Sequence, residues 1–153
     1  SADIKKILVD DHKIGANDAE ILARLSLGSI GRALQNSQNG FLDKRARVID
    51  GLKNKSIFDS DFEKMKRVDF DGYMDIMLSW YRDVLVTKAL TGKDADILNV
   101  DRIDDVKREA KRLSFEYLDM AVKAIADAKE YLNRNSNPKL TMSVLGIKLE
   151  ERG

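Results

Sequence analysis

The sequence predicts an all-α protein, and three observations carry that reading. Apolar residues recur at three- and four-residue spacing along every strong segment. The 153 residues include one proline, and proline is the residue that helix interiors tolerate least. Asn39-Gly40 and Asp50-Gly51 both sit beside helical patterns, not between the alternating strands of a hairpin.

The elements follow in order. Ile4, Ile7 and Leu8 set a first helix, which Gly15 is placed to stop. Asn17 with Glu20 reads as a capping box that opens a short helix carrying Ile21, Leu22 and Leu25. Gly28-Ser29 breaks the chain, and Ser29 is expected to cap a third helix through Ile30, Ala33 and Leu34. After Gln38-Asn39-Gly40, a longer helix carries Phe41, Leu42, Arg45, Val48, Ile49 and Leu52; its pattern leaves open a start continuous with the previous helix. Asn54 and Lys55 mark a break, and Phe58, Phe62 and Met65, with Val68 in the same register, suggest a further helix capped by Asp59 or Ser60.

The most apolar stretch runs from Asp71 to Leu90. Tyr73, Ile76, Met77, Trp80 and Val84 form one stripe, and Met74, Leu78, Tyr81 and Leu85 an adjacent one. So wide a face belongs to a helix buried between neighbours. Thr91-Gly92-Lys93 ends it, with a loop from Asp94 to Val100. Ile103, Val106, Ala110 and Leu113 mark the next helix. Ser114 then caps a long one, with Phe115, Leu118, Val122, Ile125 and Leu132 facing inward. Asn137-Pro138 is a strong start signal for a last helix carrying Leu140, Val144, Leu145, Ile147 and Leu149.

Composition narrows the function. With no cysteine and one histidine, the chain lacks the ligands of a zinc site or an iron–sulfur cluster, and it has no thiol nucleophile. A Ser-His-Asp triad could use only His12. No Gly-x-x-x-x-Gly-Lys-Ser/Thr occurs, so no phosphate-cradling loop is expected, and no cofactor or metal site with it. A net charge of +1 is not the footprint of an autonomous DNA-binding domain. No run of about 18 uncharged apolar residues exists and no signal peptide precedes the first helix pattern, so a cytoplasmic, non-membrane protein is expected. Tyr73, Trp80, Tyr81 and Tyr117 lie on apolar faces and read as core, not as base-stacking platforms.

Two features invite sharper readings. Lys6-Ile7-Leu8-Val9-Asp10-Asp11-His12 resembles the first strand and acidic pair of a receiver domain. That chemistry needs a parallel α/β sheet, and Asp50 lies in a helical pattern, so solvated acids at a helix end are expected instead. Lys107, Arg108, Lys111 and Arg112, with Arg102 just before, could meet nucleic acid phosphate or an acidic partner. Asp104, Asp105 and Glu109 balance them at helix-pair spacing, and a solvated face is the expectation. A stand-alone helical regulator or nucleic-acid-binding bundle using residues 102–112 is the alternative function.

The most specific stretch is Leu22-Ala23-Arg24-Leu25-Ser26-Leu27-Gly28-Ser29-Ile30-Gly31-Arg32-Ala33-Leu34. It resembles the end of the lid of the clamp-loader AAA+ family, within which it is most similar to the delta-prime subunits of bacterial DNA polymerase III. Trp80-Tyr81-Arg82-Asp83-Val84-Leu85 resembles the buried helix of that family's collar. Leu113-Ser114-Phe115, the helix to Tyr131-Leu132, and Asn135-Ser136-Asn137-Pro138-Lys139-Leu140 resemble its closing pair.

The resemblance implies that residues 1–38 are the C-terminal helices of a lid and residues 39–153 a helical collar. It implies association with gamma/tau-type and delta-type subunits, and contact with the sliding clamp and primed DNA only through the whole complex. It also implies a non-enzymatic piece. ATP-binding relatives carry Gly-Ser-x-Arg-Asp-Ala at the lid, whereas here Gly31 takes the sensor position and Arg32 follows it. One residue along a helix turns a side chain by ~100°, so Arg32 should point elsewhere. The candidate assembly surfaces are the edges of the 71–90 helix and the helices over 114–134 and 137–150.

Overall fold

The computed structural model describes residues 2–54, 67–90 and 96–150 and is helical throughout, with no strand among them. The helices are α1 (Ala2–Asp10), α2 (Ala16–Leu25), α3 (Ile30–Gln38), α4 (Phe41–Asn54), α5 (Arg67–Ala89), α6 (Ile103–Arg112), α7 (Phe115–Asn133) and α8 (Pro138–Glu150). A short 3-10 turn, Val100–Arg102, leads into α6. The expected helix over Phe58, Phe62 and Met65 and the Thr91-Gly92-Lys93 stop lie outside the described residues.

Apolar burial divides into two clusters. Ile4, Leu8, Ala19, Leu22, Ala23 and Ala33 bring α1, α2 and α3 together, with Leu34 and Leu42 packed at the edge. The larger cluster is built around α5, whose Phe70, Met74, Ile76, Met77, Trp80, Tyr81 and Val84 are buried among α4, α6 and α7. Phe41, at the start of α4, packs against both clusters. The broad apolar face of 71–90 is thus accounted for by neighbours on several sides, and the helix begins earlier, at Arg67.

Several local signals act as expected. Ser29 Oγ accepts from the Arg32 N–H at 3.1 Å and Ser114 Oγ from the Tyr117 N–H at 3.0 Å, each capping its helix. Asn137 Oδ1 accepts from the Leu140 N–H at 3.1 Å, with Pro138 as the first helical residue of α8. Gly40 at φ +71° separates α3 from α4, so the two are not continuous.

Others are corrected. The Asn17–Glu20 capping box does not form: α2 starts at Ala16, Gly15 is its N-cap, and no side chain caps it. Glu20 instead bonds to Arg24 and pairs with Lys5. Gly15 does not stop α1 either; Lys13 turns the chain at φ +57°, and the Ile14 N–H donates to the Leu8 carbonyl at 3.1 Å. Phe115 is half exposed, with the Lys88 ammonium 5.1 Å from its ring centroid, while Tyr117 and Leu118 of the same turn take the buried places. Leu140, Val144 and Ile147 are also exposed, for a reason that bears on function.

Candidate assembly face

The last two helices form a hairpin whose turn is written in local chemistry. Asn135 adopts φ +63° after α7. The Ser136 N–H reaches the Tyr131 carbonyl at 3.1 Å and the Asn135 N–H reaches the Leu132 carbonyl at 3.2 Å. This pair of bonds is a Schellman closure with Asn135 in the left-handed position that glycine or asparagine favours. Asn137 and Pro138 then restart the helix, and α8 folds back along α7.

Along α7, Leu118, Ala121, Ile125, Ala128 and Leu132 are buried in the main core. Tyr117 adds a polar tie, its hydroxyl donating to the Leu149 carbonyl at 2.8 Å and so fixing the end of α8. The Tyr81 hydroxyl lies 3.5 Å from that of Tyr117. Burial pushes both phenols above their ordinary range; Tyr117 adds to the shift of Tyr81, whereas the Tyr81 hydrogen bond opposes that of Tyr117.

α8 is apolar on two sides. Met142, Leu145 and Leu149 pack inward. Leu140, Val144 and Ile147, at i, i+4 and i+7, form a second stripe that is 64%, 43% and 59% exposed. Beside it, Ala124, Ala128 and Leu145 floor a shallow groove walled by Tyr131, Leu140 and Val144, with Asp127 and Lys148 on its rim. The alanines of α7 make the groove, since larger residues there would fill it. A helix that is apolar all round is normally enclosed, yet one side of α8 faces outward. Contiguous exposed apolar surface of this kind marks an interaction site.

The cations named from sequence lie together on α6, and all four are exposed. Arg108 bonds to Asp105 at 2.9 Å and Arg112 to Glu109 at 2.8 Å, while Lys107 and Lys111 have no ion pair among the described residues. The Lys53 hydrogen bond, with Arg108 adding to it, holds the Asp105 carboxyl below its ordinary value. Arg102 pairs with Asp50 at 2.8 Å and lies 3.6 Å from Asp105. Arg32 is exposed on α3 and makes no ion pair among the described residues. Among the described residues no group of three acids or histidines could hold a metal.

Sequence reasoning missed a buried polar knot behind α5. Asp83 is fully buried and accepts from the N–H groups of Leu98 and Asn99, at 2.9 and 2.8 Å, and from the Asn99 side chain at 2.7 Å. Arg45, also buried, donates Nε to Asn99 and forks its two terminal nitrogens onto Asp101. Burial pushes the Asp101 carboxyl up, but the Arg45 hydrogen bond and charge outweigh it and hold the group low. A signal existed in each case: a charge standing within an otherwise apolar helical stripe. The knot anchors the backbone of residues 96–102 and offers no open site.

Among the described residues, an all-helical fold with an outward apolar stripe and no gathered catalytic set defines a helical packing module. A family described as DNA polymerase III, delta subunit, C terminal, matches residues 39–150, and the chain belongs to that family. No curated protein and no solved structure matches the chain. Membership makes it a clamp-loader-family domain of replication, from a subunit region that is not catalytic and that associates with other subunits of the replication complex. Among the described residues no helix is long and apolar enough to cross a membrane.

Proposed function

We propose that this chain is the lid-and-collar part of a clamp-loader subunit of the delta-prime type, supplying contacts rather than chemistry. Residues 1–38 would be the last helices of an AAA+ lid, and residues 39–153 a collar that packs on gamma/tau-type and delta-type neighbours. The two apolar clusters support this division, and the family match over 39–150 supports the collar. The delta-prime reading rests on the run Gly28-Ser29-Ile30-Gly31-Arg32-Ala33, in which the arginine is one place off the phosphate-reaching position. The sliding clamp and primed DNA are met through the assembled complex only.

The observation that carries the assembly role is the second apolar stripe of α8, Leu140, Val144 and Ile147, beside the alanine-floored groove. It suits a helix laid into a groove, read by i, i+4 and i+7 anchors. The test mixes the chain with candidate partner subunits and measures complex mass by light scattering. Leu140→Asp with Ile147→Asp should keep the far-ultraviolet spectrum and weaken association at least about tenfold, or 1.4 kcal/mol. Unchanged association of that variant would remove the stripe from the interface.

A second reading rests on Lys107 and Lys111, the two α6 cations without an acid partner among the described residues. Two neutralised phosphates predict a log–log salt slope of only about −2. DNA binding by this chain alone with a slope of that size, lost in the double variant Lys107→Ala with Lys111→Ala, would favour the nucleic-acid reading.

A further inference from the structure

The two apolar clusters meet at the start of α4, where Phe41 packs against both and Leu42 against that of α1–α3. A second joint is polar. Arg24 leaves α2 and donates Nη1 to the Asp96 carboxylate at 2.9 Å and to the Ile97 carbonyl at 3.1 Å, spanning more than seventy residues of chain. The segment it grips is itself rigidly held. Ile97 is buried in the main core, Asp83 bonds the N–H groups of Leu98 and Asn99, and Arg82 donates to the Asp96 carbonyl at 2.6 Å. At the other end, Glu20 fixes the Arg24 guanidinium at 2.6 Å from one turn earlier and pairs with Lys5 of α1 at 3.0 Å.

We propose that Arg24 is a pin that sets the orientation of the α1–α3 unit on the α4–α8 unit, through its joint grip on Asp96 and the Ile97 carbonyl. Apolar contact confined to Phe41 and Leu42 at the start of α4 holds the units at one end, and a second, distant attachment restricts rotation about it. Arg24 is built for this because one planar guanidinium holds three acceptors from two units at once. The pin is also adjustable. The Asp96 side chain is 83% exposed and that of Arg24 is 34% exposed, so salt reaches the contact, whereas the buried knot behind it does not respond. This inference does not depend on the clamp-loader reading.

The chain has no cysteine, which makes a clean two-site label possible. Gln35→Cys on α3 and Ala126→Cys on α7 are exposed positions, one on each unit, for nitroxides whose separation is read by pulsed electron resonance. The wild-type background should give one narrow distance distribution. Arg24→Ala should widen it about twofold, Asp96→Asn should widen it less because the Ile97 carbonyl remains, and raising salt from about 0.05 to 1 M should widen the wild type. Glu20→Gln, which weakens the α2 partner but leaves the grip on residues 96–97, should widen it less than Arg24→Ala. An unchanged width in both Arg24→Ala and high salt would overturn the pin. Equal widening by Glu20→Gln and Arg24→Ala would overturn it too, since the effect would then come from α2 itself. The high-salt measurement and Asp96→Asn decide the matter even if Arg24→Ala fails to fold.

Discussion

Arg45 Nε donates to Asn99 Oδ1 at 2.9 Å in the interior, and the amide of the same asparagine donates to Asp83 at 2.7 Å. One asparagine therefore links a buried cation on α4 to a buried anion on α5 without the two charges touching. Arg45 also pairs with Asp101 and Asp83 with Arg82, so what a lost partner strands is the buried hydrogen-bonding groups between them. Asp83→Ala strands the N–H groups of Leu98 and Asn99 and should cost about 3 kcal/mol or more. Asp50→Ala, which removes an exposed partner of Arg102, should cost no more than about 0.5 kcal/mol. Urea unfolding followed by Trp80 fluorescence compares the two, and similar midpoints would contradict the structure.

The two sides of α8 should separate in the same assay. Leu145 is 2% exposed and Leu140 is 64% exposed, although the sequence pattern treats them alike. Leu145→Ala should lose about 2–5 kcal/mol. Leu140→Ala should stay within about 0.5 kcal/mol of the parent. A large loss at Leu140 in the isolated chain would mean that its stripe is already covered.

Helix caps offer a sharper contrast, since two sequence signals of equal appearance differ in the fold. Ser114 caps α7, whereas Asn17 lies inside α2 and caps nothing. Ser114→Ala should destabilise by about 1 kcal/mol. Asn17→Ala should be neutral or slightly stabilising, because alanine is the better helix former. Thermal melting of the two variants checks this directly, and a cost at Asn17 would restore the capping box.

Acid should weaken the α6 region through Asp105, which meets Lys53 and Arg108 at 2.9 Å and Arg102 at 3.6 Å. Its folded carboxyl is held below the ordinary value, first by the Lys53 hydrogen bond. The unfolded chain therefore takes up the proton more readily, and this stabilisation is present above the ordinary carboxylate pKa and lost as pH falls below about 4. Asp105→Asn should lower stability by about 1 kcal/mol at neutral pH and flatten the fall of the melting temperature below pH about 4. Parallel acid curves for variant and parent would exclude Asp105 from the effect.

Much of this fold was legible because its signals are local. The serine caps at Ser29 and Ser114 and the Asn137-Pro138 start act through atoms three residues away, and they hold wherever the helix ends up. The wide face of α5 announced enclosure on several sides. The capping box at Asn17 failed because Gly15 already provides the helix entry, with φ −57° and ψ 147°. Phe115 misled because helical spacing gives a direction round the axis, not whether anything lies opposite.

The candidate face shows the same boundary from the other side. Leu140, Val144, Leu145, Ile147 and Leu149 read as one apolar set, and period alone does not say which members meet α7. By itself the sequence determined the all-helical class, the helix starts at Ser29, Ser114 and Asn137, and the absence of cysteine chemistry, since those depend on residue type and near neighbours. Only the tertiary structure decided that α8 keeps a second apolar stripe outward, that Asp83, Asn99 and Arg45 are buried together, and that Arg24 reaches Asp96. Those relations join residues far apart in the chain, and only packing brings them within a bond length of effect.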